Sequence, residues 1–141
     1  KSGLLNLGGN ILTVGSKPGG SWKVGIQDPF GATGEAKIAI FANDTSIVTS
    51  GVYERGFDLN GVRYHHLLDA QTGWPVQNGL ASVTIIARES VMADALSTGA
   101  FALGLADGRA LVESLDGVEA IFITDRGKVA LSSGAAGMVA R

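Results

Sequence analysis

Residues 49–75 read TSGVYERGFDLNGVRYHHLLDAQTGWP. Within them, Tyr53–Leu59 and Val62–Leu68 are two strand-like runs flanking Asn60-Gly61. An Asn-Gly pair suits a type I′ turn, whose two central residues both need positive φ, so the spacing predicts a β-hairpin. Thr72-Gly73-Trp74-Pro75 marks a further turn. The same segment holds both histidines of the chain, His65 and His66, with Glu54, Asp58, Asp69, Arg55 and Arg63. Proton-transfer and charged groups are thus concentrated on one hairpin. A plain polar hairpin with solvated charges would have the same composition, so the rest of the chain has to decide.

Working outward, residues 4–15 (LLNLGGNILTVG) read as a strand interrupted by Gly8-Gly9, where a bulge or a close backbone or ligand approach is expected. Residues 21–27 alternate as a second strand, and Asp28-Pro29 opens a loop running through Gly31–Gly34. Ala36–Phe41 and Ser46–Ser50 are further strands, separated by an Asn43-Asp44 turn. Ser82–Ala87 is β-branched and reads as a buried strand. From Ser90 to Leu105 the pattern becomes helical, with Val91, Ala95, Leu96, Ala100, Phe101 and Leu103 as the apolar positions and Ser90 as N-cap. Gly104 is expected to stop or bend this helix before a second one over Ala106–Leu115. Val118–Thr124 and Lys128–Ser132 form a closing hairpin. The fold class is therefore α+β, a mainly antiparallel sheet with a helix pair.

The chain has 141 residues, fitting one domain, and 45% of them are hydrophobic, enough for a real core. Its net charge of −2 argues against nonspecific nucleic-acid binding. With no cysteine, disulfides, zinc-thiolate sites and thiol catalysis are excluded. No apolar run reaches the ~18 residues of a transmembrane helix. The chain starts at Lys1 and enters an apolar stretch at once, as a fragment or a processed product would.

Four constellations carry chemistry. Asp94 and Thr98 lie four residues apart on the expected helix, on one side of it. A carboxylate and a hydroxyl suit a hard cation such as Mg²⁺ but leave its octahedron incomplete; an ordinary polar helix face has the same spacing. His65 and His66 are adjacent on a strand and must face opposite sides, so only one can serve a given site. A neutral imidazole there can take a proton from a hydroxyl nucleophile. Asn6-Leu7-Gly8-Gly9-Asn10 could admit a ligand to the backbone, although no phosphate-loop Lys-Ser/Thr follows it. Trp22, Tyr53, Tyr64 and Trp74 are read as core or cross-strand packing rather than ring-stacking platforms.

Taken in order, NLGGN (6–10), W-x-VGI-x-DP (22–29), TSG-x-YER-x-F-x-x-NG-x-x-YHHLLD-x-x-TG-x-P (49–75), SVT-x-x-A (82–87) and ADALST (93–98) resemble the C-terminal half of the ApbE-type FAD:protein FMN transferases. The resemblance runs from Asn6 to about Gly104 and implies an ApbE-like, T-fold-related architecture. It also implies Mg²⁺-dependent transfer of FMN from FAD to a Thr or Ser hydroxyl of an acceptor flavoprotein, with release of AMP. Hydrolysis of FAD to FMN and AMP, or noncatalytic FAD binding, are the alternatives.

Carried over by position, the resemblance makes Asp94 and Thr98 the side-chain metal ligands and His66 the catalytic base. Asp69 is placed close enough to orient that region. Asn6, Gly8, Gly9, Asn10, Thr49, Ser50 and Gly51 belong to the flavin-nucleotide cleft. Family members are about twice this length, so residues 1–141 are expected to be the C-terminal portion of the domain, with the N-terminal half and its Lys-Gly metal contact absent. Alone, the chain is expected to hold FAD and Mg²⁺ weakly, if at all, and not to transfer FMN. The resemblance further implies an extracytoplasmic setting, periplasmic or on a lipoprotein anchor. Asp28-Pro-Phe-Gly-Ala-Thr33 comes near an acceptor pattern but lacks its spacing and reads as a loop.

Overall fold

A computed structural model describes residues 1–140. The described residues form β1 (Gly3–Asn6), β2 (Asn10–Val14), β3 (Trp22–Gln27), β4 (Ala36–Ala42), β5 (Thr45–Gly51), β6 (Gly56–Leu59), β7 (Val62–His65), β8 (Leu80–Ala87), α1 (Ser90–Glu113), β9 (Glu119–Thr124), β10 (Val129–Leu131) and α2 (Ala135–Met138). Six strands make one sheet in the order β1-β2-β5-β8-β9-β10, while β3–β4 and β6–β7 are separate hairpins. Every strand pair in the three sheets is antiparallel, as the α+β expectation requires.

The large sheet is covered on both sides. On one face Val48, Val83, Ile85 and Phe122 pack against Ala93, Ala100, Phe101 and Val112 of α1. On the other, Ile47, Ile86, Ile121 and Ile123 meet Val24, Ile26 and Ile40 of the β3–β4 hairpin, with Ala135 of α2. Strand β8 lies between the two layers, and all eight of its residues are buried. That double burial explains its unbroken β-branched run. Each fully buried Val, Ile or Phe contributes on the order of 1.5–3 kcal/mol.

Two local readings change. Gly8-Gly9 does not interrupt one strand: the positive φ of both residues (72° and 91°) turns the chain between β1 and β2. Asn6 Oδ1 accepts from the Gly8 amide, and the Leu7 amide donates to the Asn10 carbonyl, closing that turn. The Asn60-Gly61 turn is as expected, with φ of 51° and 77° joining β6 to β7. Ser90 is the first helical residue rather than the cap, a position held by Glu89.

Helix α1 bends where Gly104 takes φ 82° and ψ 178°, a conformation nearly closed to other residues. Asn78 braces the break: its Nδ2 donates to the Phe101 carbonyl and its Oδ1 accepts from the Leu80 amide. The buried stripe of α1 is mostly small, with Ala93, Ser97, Ala100, Phe101 and Gly104 inward, whereas Val91 and Leu103 face solvent. Small residues let the helix lie close to the sheet, and the close fit overrides side-chain hydrophobicity at those positions. No described helix is long and apolar enough to cross a membrane.

Candidate active site

Alternation along β5 sends neighbouring residues of the TSG motif to opposite sides of the sheet. Thr49 lies on the side of the β3–β4 hairpin, where a groove of about 600 Å³ opens beside Asn6, Gly8, Gly9, Lys23 and Tyr53. The Thr49 amide donates to the Gly9 carbonyl, and its hydroxyl shares a 2.8 Å hydrogen bond with Thr84. Burial, with the Glu54 carboxylate adding to it, pushes the Tyr53 phenol up to about 12, so it stays a hydrogen-bond donor near neutrality. Gly51 makes room for that ring: a Cβ there would stand 2.4 Å from Tyr53 Cε1. Tyr53 thus borders a groove, a place the core-packing reading did not give it.

Ser50 lies on the α1 side. Its Oγ is 3.0 Å from Thr98 Oγ1 and 2.8 Å from Ser97 Oγ. Asn10 reaches the same face, accepting at Oδ1 from Ser90 Oγ and so tying β2 to the first turn of α1. The residues assigned to one cleft therefore divide. Asn6, Gly8, Gly9 and Thr49 border the groove, while Asn10 and Ser50 anchor the helix carrying Asp94 and Thr98. Gly51 accommodates Tyr53.

Asp94 and Thr98 are both exposed and one turn apart. Their donors are all oxygen, the chemistry a hard cation selects, and Ser50 adds a second hydroxyl beside Thr98. They fit one side of a Mg²⁺ site whose remaining ligands would come from water, backbone or a phosphate. Among the described residues no three His, Asp or Glu side chains cluster to hold a metal.

The two histidines face apart, as their adjacency demands. His65 is buried, edge-on to Phe101 at 6.0 Å between ring centroids. The Leu67 amide donates to its Nδ1, so its Nε2–H is the group that donates to the Val76 carbonyl. Burial lowers its pKa, opposed by the Val76 hydrogen bond and aided by His66 and Arg63. His66 is exposed, with Nδ1 3.2 Å from the Arg55 carbonyl. A carbonyl can only accept, so in the neutral ring Nδ1 carries the proton and the lone pair lies on Nε2, the tautomer a general base needs.

His66 opens onto a second pocket, of about 400 Å³, with Phe57, Tyr64 and Trp74. Phe57 and Tyr64 stack at 5.2 Å, and Trp74, tilted against Tyr64, is 65% exposed. Trp74 is therefore not core. Asp69 makes no hydrogen bond to His66. Its Oδ1 accepts from the Gln71 and Thr72 amides, which hold its pKa below the ordinary carboxylate range and shape the turn that presents Trp74. Asp58 and Arg63 pair across the hairpin at 2.9 Å, an exposed contact worth under about 1 kcal/mol.

Ser97 was not singled out from the sequence. It is fully buried and donates to the Asp94 carbonyl. Its only sequence signal is its place inside ADALST, between the two expected ligands.

Residues 1–122 match the ApbE family. The chain belongs to that family. A FAD:protein FMN transferase of Treponema pallidum is 42% identical over 142 residues, covering 94% of this chain and 39% of its own length. A second, from Klebsiella pneumoniae, is 41% identical over 131 residues. Among solved structures, the ApbE protein of Thermotoga maritima superposes with a TM-score of 0.87 at 35% identity, covering 99% of this chain and 45% of that one. The apo flavinyl transferase ApbE of Pseudomonas stutzeri gives 0.78 at 31% identity, covering 98% and 43%. This ApbE chain thus spans about two-fifths of the length of the curated relatives it matches, and its mixed, mainly antiparallel architecture matches that of the solved ApbE structures.

Proposed function

We propose that this chain is the C-terminal portion of an FAD:protein FMN transferase domain, supplying the metal-binding helix and the base-bearing hairpin of its active site. The observation that carries this reading is the convergence of motif and geometry on the α1 face. Asp94 and Thr98 project from a helix start that Asn10 ties to β2, and Ser50 joins Thr98 to β5. The names of the similar proteins support the same reaction.

In this reading the acceptor's Thr or Ser oxygen attacks the FMN-side phosphorus of FAD. The P–O bond to AMP breaks, AMP leaves, and the hydroxyl proton passes to His66 Nε2. Asp94 and Thr98 hold Mg²⁺, which when bound offsets charge growing on the phosphoryl oxygens. Asn6, Gly8, Gly9 and Thr49 line the flavin-nucleotide groove. Residues 1–141 alone bind FAD and Mg²⁺ weakly and do not turn over, because the remaining walls of the site lie outside them. The working location is extracytoplasmic.

A chimaera tests this: residues 1–141 replace the matching region of the Treponema pallidum relative, and AMP release is followed with FAD, Mg²⁺ and an acceptor. The expected result is FMN transfer, lowered about 10²–10⁴-fold by His66→Ala while FAD affinity is retained. Full turnover in the His66→Ala or Asp94→Ala chimaera would refute the assignment. Free FMN formed without acceptor would favour the pyrophosphatase, and FAD binding with no AMP the noncatalytic module.

A further inference from the structure

The hydroxyls around Thr98 form a chain whose proton directions are fixed by its far end. Ser97 Oγ donates its single proton to the Asp94 carbonyl oxygen at 2.9 Å. Ser97 can then only accept at its 2.8 Å contact with Ser50, so Ser50 donates there. With its own proton committed, Ser50 can only accept at its 3.0 Å contact with Thr98, so Thr98 donates. Each hydroxyl has one proton and two lone pairs, and no other assignment satisfies all three contacts.

From this we infer that Ser50 is a positioning residue for the metal site rather than a wall of the nucleotide groove. The relay Thr98→Ser50→Ser97→Asp94 carbonyl draws the Thr98 proton toward the sheet. It leaves the Thr98 oxygen lone pairs turned outward, on the side of the helix where the Asp94 carboxylate stands. A serine or threonine hydroxyl bound to a divalent cation must present a lone pair and keep its proton out of the way. Ser50 fixes that orientation before any ion arrives. Burial of Ser97 protects the end of the relay from exchange with water, while Ser50 is half-buried between strand and helix. The sequence hides this link, because Ser50 and Thr98 are 48 residues apart.

This inference rests on the metal-site reading above, and the experiment separates the two. Mn²⁺ is titrated into the full chain and followed by water-proton relaxation, which registers weak binding without any turnover. Native chain is compared with Asp94→Ala, Ser50→Ala and Ser50→Thr, with circular dichroism melts verifying that each variant is folded. Asp94→Ala is expected to abolish site binding. Ser50→Ala is expected to weaken it about 10-fold, as loss of a partner behind a ligand does. Ser50→Thr, which keeps the hydroxyl, is expected to bind nearly as the native chain. Loss of binding in Asp94→Ala with unchanged affinity in Ser50→Ala overturns the relay and leaves the metal site standing. Absence of Mn²⁺ binding by the native chain, or equal binding by Asp94→Ala, overturns both.

Discussion

The two faces of the large sheet are built from the same strands and do different work. On the α1 face, Asn10 and Ser50 are spent on hydrogen bonds to the helix, and the space between sheet and helix is filled around Phe101. On the hairpin face, Thr49 and Asn6 border an open groove, and β1 places Leu4 there, 39% exposed. A period of two along β5 is enough to divide Thr49 from Ser50. Adjacent residues of one motif can thus play different parts, one bordering the groove and the other tying α1 to the sheet.

If the faces differ as described, the largest effect comes from truncating the closed one. Phe101→Ala is expected to cost about 3–5 kcal/mol in urea unfolding, whereas Leu4→Ala at the groove should cost under about 0.5 kcal/mol. Similar losses for the two would erase the contrast. A sharper probe of the groove face is Gly51→Ala. The added methyl displaces the Tyr53 ring, so the phenol should titrate nearer its ordinary value of 10.0 than at about 12, as read by ultraviolet absorbance. An unchanged titration would mean that Gly51 does not set the ring's place.

The smallest effect concerns His65 beneath α1. Its folded pKa lies below its ordinary value of 6.5, so between the two the unfolded chain holds a proton that the folded chain does not. Stability is therefore full above that ordinary value and falls as pH drops below it. His65→Gln should flatten that dependence between about pH 5 and 6.5 in urea titrations, above the range where the carboxylates protonate. An equally steep dependence in the variant would place its origin elsewhere.

Much of this was legible in the chain. The Asn60-Gly61 hairpin, the buried β8, the break at Gly104 and the opposed histidines all follow from local rules of turn geometry and periodicity. Gly8-Gly9 was legible but misread: a Gly-Gly pair between apolar runs is itself a two-residue hairpin signal. The inward face of α1 was not legible, because close packing selected Ala93 and Ser97 over Val91 and Leu103. Nor were the Asn78 brace and the Ser50–Thr98 contact, which depend on residues brought together only by the tertiary fold. The residues that resemblance placed in one cleft lie near one another on β1, β2, the turn between them and β5, but strand alternation decided what each one touches.

The central claim is that the α1 face holds a divalent cation at Asp94 and Thr98 while the groove face does not. Anomalous diffraction from crystals of the chain soaked in Mn²⁺ tests it directly. The account predicts one peak, partly occupied as weak binding implies, at about 2.1 Å from Thr98 Oγ1 and an Asp94 carboxylate oxygen, consistent with hard-cation distances. A peak beside Glu35 or Glu54 in the groove, with none at Thr98, would contradict it.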